Sequence, residues 1–376
     1  MKSERVLNRW IFLIMVVVQA QVVFPCSTFM LKGEDCHLYG HNLDSGSPVP
    51  GLVVINKRNI TKESRTWKEL STGKKDDSIS FQWTSKFGSV TFNPFGREFP
   101  DGGMNEAGLI VQEMSLSETE FPDGEGKRKM FMMLWMQYVL DCFETVEQVI
   151  QSASDIVLDG WGWHFFTADK HGGHASIEFI DGRVVVNSGQ EMPFPLLCNS
   201  IYSKELEGLK TYQGFGGTKP IDVEESGIPR FVRGIYLLKH YTPSQTQSPV
   251  DYGFRILENI ALSDNKWKYV FDWSNRKVYY RTANNQKVRS LSFLELDFKG
   301  ESPSRMVDID VGKGDSVLDQ LKEYSKEINE DFVMNAIKTL EINVPIFKNL
   351  LSPGGTPQIL IEQLTTYPET TVYRNK

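Results

Sequence analysis

From residue 27 onward, apolar and polar residues alternate in short runs, the period of strands that bury one face. This pattern predicts strands at 27–32, 37–42 and 52–56, with Gly33-Glu34-Asp35 turning the chain between the first two. Further strands are expected at 80–84, 89–92 and 108–114. Between the last two lies Asp101-Gly102-Gly103-Met104-Asn105-Glu106-Ala107-Gly108-Leu109, whose paired glycines imply positive φ or the close approach of another group. Residues 127–152 change to helical spacing, and Met130, Leu134, Val139, Phe143, Val146 and Val149 predict two amphipathic helices packed on a core.

Strands return at 164–168, 175–180, 183–187 and 195–199, with Asp181-Gly182 as a two-residue hairpin turn. Helices are expected at 229–238, opened by Pro229, and at 250–262. Three strands at 266–272, 277–282 and 288–294 follow as a meander, and beyond Gly300 the spacing predicts helices at 315–326 and 330–340. This order lacks a regular βαβ alternation and favours antiparallel sheets covered by helices, an α+β fold. The expected organisation is one domain over 26–300 with a helical extension over 301–376 packed on it.

The start of the chain differs in character. Lys2, Arg5 and Arg9 precede an apolar run over 11–18 and the small-residue exit Val18-Gln19-Ala20, the form of a secretion signal over 1–20. The run is far short of the roughly 20 residues that span a bilayer, so no stable membrane insertion is expected. Phe24 and Pro25 disfavour lipidation of Cys26. Cleavage after Ala20 leaves residues 21–25 as a short pro-segment, and self-processing is expected to remove it. The product is expected to be secreted or periplasmic. Asn59-Ile60-Thr61 is a glycosylation sequon, meaningful in a eukaryotic secretory pathway.

Composition adds exclusions. The 376 residues are 40 % hydrophobic and 24 % charged, enough to bury a sizeable core. A net charge of −7 without any Lys/Arg block gives no footprint for nucleic acid, so a small-molecule partner is expected. Cys36, Cys142 and Cys198 show no CxxC spacing and read as free or buried thiols. His171 and His174 lie in a turn with no third ligand nearby, and they and the His37/His41 pair read as structural rather than metal-binding. No phosphate-cradling glycine motif follows a strand, so no cofactor is expected. Homo-oligomerisation stays open.

The candidate chemistry centres on Cys26. With the preceding bond cut, this one residue carries a thiol and an α-amine whose pKa of roughly 7.7–8 leaves a neutral fraction able to act as base. Asp44 is a candidate to hold the ammonium, with a turn cap as its ordinary alternative. Asn199 is a candidate oxyanion donor, with a strand-ending turn residue as its alternative. Trp161, Trp163, Phe165 and Phe166 fit either an acyl pocket or, more simply, a sheet-face core.

Five segments, taken in order, carry a resemblance: Cys26-Ser-Thr-Phe, Gly40-His-Asn-Leu-Asp44, Asp101 to Leu109, Leu197-Cys-Asn199-Ser and Pro229-Arg230-Phe-Val-Arg233. Together they resemble the choloylglycine hydrolase family, which contains penicillin V acylases and bile salt hydrolases. The resemblance covers roughly 26–298. It implies a four-layer αββα sandwich of two antiparallel sheets, autocatalytic exposure of the cysteine, and hydrolysis of a linear amide C–N bond in an N-acyl compound. By position it makes Cys26 the nucleophile, Asp44 the residue holding its amine, Asn199 an oxyanion donor and Arg230 the active-site arginine. A second oxyanion donor falls near Ser115, whose backbone N–H would serve. The family commonly has Arg where this chain has His41. An imidazole that loses its charge near pH 6.5 would make activity acid-shifted or weaker. The rival readings are an N-terminal-nucleophile dipeptidase or acyltransferase, and an inactive secreted binding protein of the same fold.

Overall fold

The coordinates are a computed structural model that describes residues 25–374 apart from 77, 78, 125, 313 and 346. The expected signal segment, 1–20, and residues 21–24 of the pro-segment lie outside the described residues.

Two antiparallel sheets form the centre. The six-stranded sheet runs Leu196–Leu197, Ser27–Lys32, His37–Asp44, Asn265–Asp272, Lys277–Thr282 and Arg289–Ser292 across its width. The nine-stranded sheet runs Arg183–Ser188, His174–Ile180, Trp163–Ala168, Ile110–Ser115, Gly102–Asn105, Ser89–Asn93, Leu52–Asn56, Arg305–Asp308 and Lys322–Glu323. Their inner faces pack on each other through aromatic rings: Phe92 of the larger sheet stacks on Tyr269 of the smaller with centroids 3.9 Å apart. Helices Arg230–Lys239 and Pro249–Ile260 cover the outer face of the smaller sheet, and Met132–Cys142 and Val146–Asp155 that of the larger. The architecture is the four-layer αββα sandwich.

Local chemistry sets these boundaries. Ser248 caps the Pro249–Ile260 helix by accepting from the Asp251 backbone N–H at 3.1 Å, and Pro249 occupies its first turn, where the missing N–H is not needed. Thr145 and Gln148 form a reciprocal capping box at the start of Val146–Asp155.

Three departures from the sequence expectation bear on the site. The glycine-rich stretch is itself a strand, Gly102–Asn105. A Cβ on Gly102 would lie 2.3 Å from the Tyr269 hydroxyl oxygen, and Gly108 turns with φ of +88° beneath the Trp273 ring, so the glycines serve both the close approach and the positive φ. Residues 315–326 are not a helix but a 3-10 turn, Leu318–Gln320, and a strand, Lys322–Glu323. The Val317 N–H donates to Ser290 O at 3.2 Å with Val317 buried, so tertiary pairing overrides the helical spacing. Ser325 then caps the real helix, Lys326–Asn343, by accepting from Ile328 N at 3.2 Å. Finally, the stretch beyond 300 is not simply helical: Arg305–Asp308 extends the large sheet beside Leu52–Asn56, and Val372–Tyr373 pairs with Ile60–Glu63.

Candidate active site

Cys26 sits immediately before the Ser27–Lys32 strand, which pairs with His37–Asp44 so that Ser27 opposes Asn42 and Thr28 opposes His41. Alternation then divides the neighbours. Ser27 and Asn42 turn toward the Pro249–Ile260 helix, where the Asn42 amide donates to Leu257 O at 2.8 Å and to Ser27 Oγ at 3.1 Å. Thr28 turns toward the facing sheet, where its hydroxyl meets the Gln112 side-chain oxygen. Cys26 faces the same way, its thiol donating to Glu113 Oε1 at 3.5 Å, and the residue is wholly buried.

Five of the six residues singled out from the sequence meet through one another. Arg230, the first residue of its helix behind Pro229, reaches down with only 16 % of its side chain exposed. Its Nη1 donates to Cys26 O at 3.4 Å and lies 3.5 Å from Asp44 Oδ2, and its Nη2 donates to Asn199 Oδ1 at 2.7 Å. The Asn199 amide nitrogen donates in turn to Ser115 O at 2.8 Å. At Ser115 it is therefore the carbonyl that meets Asn199. Asp44 accepts from the Leu262 backbone N–H at 3.0 Å and from Asn265 Nδ2 at 2.8 Å. Burial raises the Asp44 carboxyl above its ordinary value, against the opposing pull of Asn265, Leu262 and Arg230.

The sixth residue, His41, stands apart from the arginine. Its ring stacks on Tyr269 with centroids 5.1 Å apart, and its Nε2 lies 3.8 Å from Asp101 Oδ2. Complete burial lowers its pKa to about 3, so the ring stays neutral throughout ordinary working conditions. The expectation that its charge is lost near pH 6.5 is thereby corrected. Burial likewise pushes the Asp101 carboxyl well up, against hydrogen bonds from Trp267 and from backbone N–H groups. With the imidazole neutral, its approach to Asp101 is a polar contact and not an ion pair.

Four functional neighbours were not read from the sequence. Glu113 and Asp101 are buried carboxyls beside Cys26; burial, then Glu113, Asp44 and Asp101, push its thiol well above the usual range, and the Asp44 backbone N–H pulls the other way. His164 and Glu178 support the asparagine from behind. His164 Nε2 lies 2.7 Å from Cys198 O, its Nδ1 lies 3.3 Å from Glu178 Oε1, and that oxygen also accepts from Tyr202 N at 2.8 Å. For Glu113, His164 and Glu178 the sequence signal was a charged or polar side chain inside a strand with apolar neighbours, while Asp101 opens the glycine-rich segment without a role having been read for it.

A cavity of about 490 Å³ opens beside Arg230, lined in part by Val223, Ile228, Arg233, Glu258 and Leu262. The aromatic residues weighed for an acyl pocket belong instead to the core. Trp163, Phe165 and Phe166 are buried, and Trp161 packs edge-on against Trp67 and Phe131.

Residues 26–169 match the family described as linear amide C–N hydrolases, choloylglycine hydrolase family. The chain is similar to a penicillin V acylase from Pectobacterium atrosepticum, 23 % identical over 305 residues that span 68 % of this chain and 80 % of the relative. Among solved structures it is similar to a penicillin V acylase from Agrobacterium tumefaciens, with a TM-score of 0.67, 23 % identity, and coverage of 80 % of this chain and 98 % of the other. It is also similar to a variant of conjugated bile acid hydrolase from Clostridium perfringens, with a TM-score of 0.62, 17 % identity, and coverage of 77 % and 98 %.

Proposed function

We propose that this chain, a relative of the choloylglycine hydrolase family of linear amide C–N hydrolases, cleaves the amide bond of an N-acyl compound with Cys26 as its nucleophile once its own processing has freed the Cys26 amine. The observation that carries this reading is the position of Arg230, which touches Cys26, Asp44 and Asn199 at once while Asn199 reaches Ser115.

The chemistry follows from these positions. The free α-amine takes the thiol proton as sulfur attacks the amide carbonyl, and the resulting ammonium is held by Asp44. Arg230 orients the Asn199 amide by occupying its oxygen; one amide hydrogen goes to Ser115 O and the other is left for the oxyanion, with the Ser115 backbone N–H as the second donor. The ammonium protonates the departing nitrogen, and water then hydrolyses the thioester. The cavity beside Arg230 and Arg233 provides room for the substrate. Export through the segment at 1–20 would precede or accompany processing, giving a secreted or periplasmic enzyme.

The test is the mass and N-terminal sequence of the exported chain, coupled to hydrolysis of N-acyl amides. Penicillin V and conjugated bile acids, after which the similar proteins are named, head the panel. A chain that begins at Cys26 and releases amine from one of the panel is expected. A chain that begins at Gln21 with Cys26 internal overturns the mechanism.

A further inference from the structure

The proposed amidase uses the Cys26 amine as base, but before processing that nitrogen belongs to the Pro25–Cys26 peptide bond and cannot accept a proton. Something else must take the thiol proton when the bond is cut. Asp44 is engaged by Leu262, Asn265 and Arg230. Asp101 accepts from Trp267 Nε1 at 3.2 Å and neighbours His41, whose ring is held neutral by burial. Glu113 remains. It projects from the facing sheet, its Oε1 accepts from the Cys26 thiol at 3.5 Å, and its fully buried Oε2 has no hydrogen-bond partner among the described residues. A carboxyl between two sheets with one oxygen unpaired is costly to bury; the adjacent Gln112 is also buried, but its oxygen is taken by the Thr28 hydroxyl, and only Glu113 of this strand accepts from the thiol.

We infer that Glu113 is the general base of self-processing, accepting the Cys26 thiol proton as sulfur attacks the Pro25 carbonyl; the inference rests on the reading of Cys26 as a self-exposed nucleophile. The Glu113 carboxylate removes the S–H proton while Sγ bonds to the Pro25 carbonyl carbon. The C–N bond to Cys26 then breaks, and Glu113 returns the proton to the departing nitrogen, which becomes the free amine. The pro-segment is now a thioester on Sγ. One water molecule adds to that carbonyl and the C–S bond breaks, giving a carboxyl-terminated segment and the thiol. The arrangement also accounts for how the thiol is kept quiet. Burial and the surrounding carboxylates disfavour a standing thiolate, so proton transfer must accompany attack. Burial, and then Asp101, raise the Glu113 carboxyl well above its usual value, which makes its ionised form a stronger base.

The experiment follows processing of the full chain by intact mass for wild type, E113Q and E113D, each with a thermal melt. Wild type is expected to yield a chain beginning at Cys26, while E113Q is cut about 100-fold more slowly or not at all, the scale of a lost general base. Hydroxylamine, which cleaves an accumulated thioester, is expected to release the pro-segment from wild type caught during processing and not from E113Q. Should E113Q fail to fold, E113D decides. It keeps the carboxyl one methylene short, and processing at least 10-fold slower with a normal melt supports the role. Wild-type cutting rates in a folded E113Q or E113D overturn it and leave the amidase reading intact. A wild-type chain that stays uncut overturns both.

Discussion

Arg230 and Asn199 meet at 2.7 Å, guanidinium to amide oxygen, while the amide nitrogen of Asn199 donates to Ser115 O at 2.8 Å. An asparagine amide is ambiguous about which end faces which neighbour until something charged settles it. Here the arginine does so, and its second nitrogen stands between Cys26 O and Asp44. One planar fork therefore links Asn199, Asp44 and Cys26.

Arg230→Lys is expected to lose most of this function, because an ammonium offers a point charge in place of a fork with two separated donors. A fall in kcat/KM of at least 10-fold is predicted, with Arg230→Ala lower still. Steady-state hydrolysis of the best amide in the panel measures it, and a Lys variant within 2-fold of wild type contradicts the orienting role.

Asn199→Ala removes the proposed oxyanion donor, and loss of one such donor typically lowers kcat by about 10²–10³. Because the effect lies on the transition state, KM is expected to move little. A change confined to KM would assign Asn199 to substrate binding instead.

His164 has acceptors at both ring nitrogens, Cys198 O and Glu178 Oε1, so it ties the segment carrying Asn199 to the sheet behind it. Replacing it by Ala is expected to lower kcat by roughly 10-fold with a smaller effect on KM, since a small misplacement of a catalytic group is costly. His164→Gln, which can still donate to Cys198 O, should recover part of the loss. Equal kcat in wild type and the Ala variant would argue against a positioning role.

The neutral His41 makes a prediction about stability. Its folded pKa, about 3, lies below the ordinary 6.5, so between these values the unfolded chain binds more protons than the folded one. Stability from this residue is therefore complete above about pH 6.5 and is lost on acidification toward pH 3, at up to about 1.4 kcal/mol per pH unit. His37, lowered to about 4 chiefly by burial, acts in the same direction. His41→Phe keeps a ring against Tyr269 and removes the titration. Its melting temperature should fall less than that of wild type between pH 6.5 and 4, and parallel curves would refute a buried neutral His41.

Asp101 has the opposite sign. Its folded pKa is raised, so stability is lost as pH rises above the unfolded carboxyl value toward the folded one. Asp101→Asn, whose side-chain oxygen can still accept from Trp267 Nε1, is expected to melt higher than wild type at pH 8, with the gap closing near pH 4. A constant gap across that range would mean that the carboxyl titrates normally.

Much of this was legible beforehand, and the limits are physical. Period-two alternation located most strands of both sheets, because a one-residue slip would expose a buried face. Four of the five motifs carry Cys26, Asp44, Asn199 and Arg230, Ser115 follows the third, and in the fold these residues meet. Local spacing misled at 315–326, where Val317 and Lys322–Glu323 are claimed by distant strands and pairing partners outweigh propensity. The sequence by itself determined an order of antiparallel strands covered by helices and singled out Cys26 as the candidate nucleophile, because both rest on short-range periodicity and on residue type. Only the tertiary structure decided that Glu113 of one sheet lies against Cys26 of the other, and that His41 stays neutral. Alternation says that a side chain faces inward but not which side chain the opposite sheet brings to meet it, and burial, which sets the charge, is complete only when the sheets close.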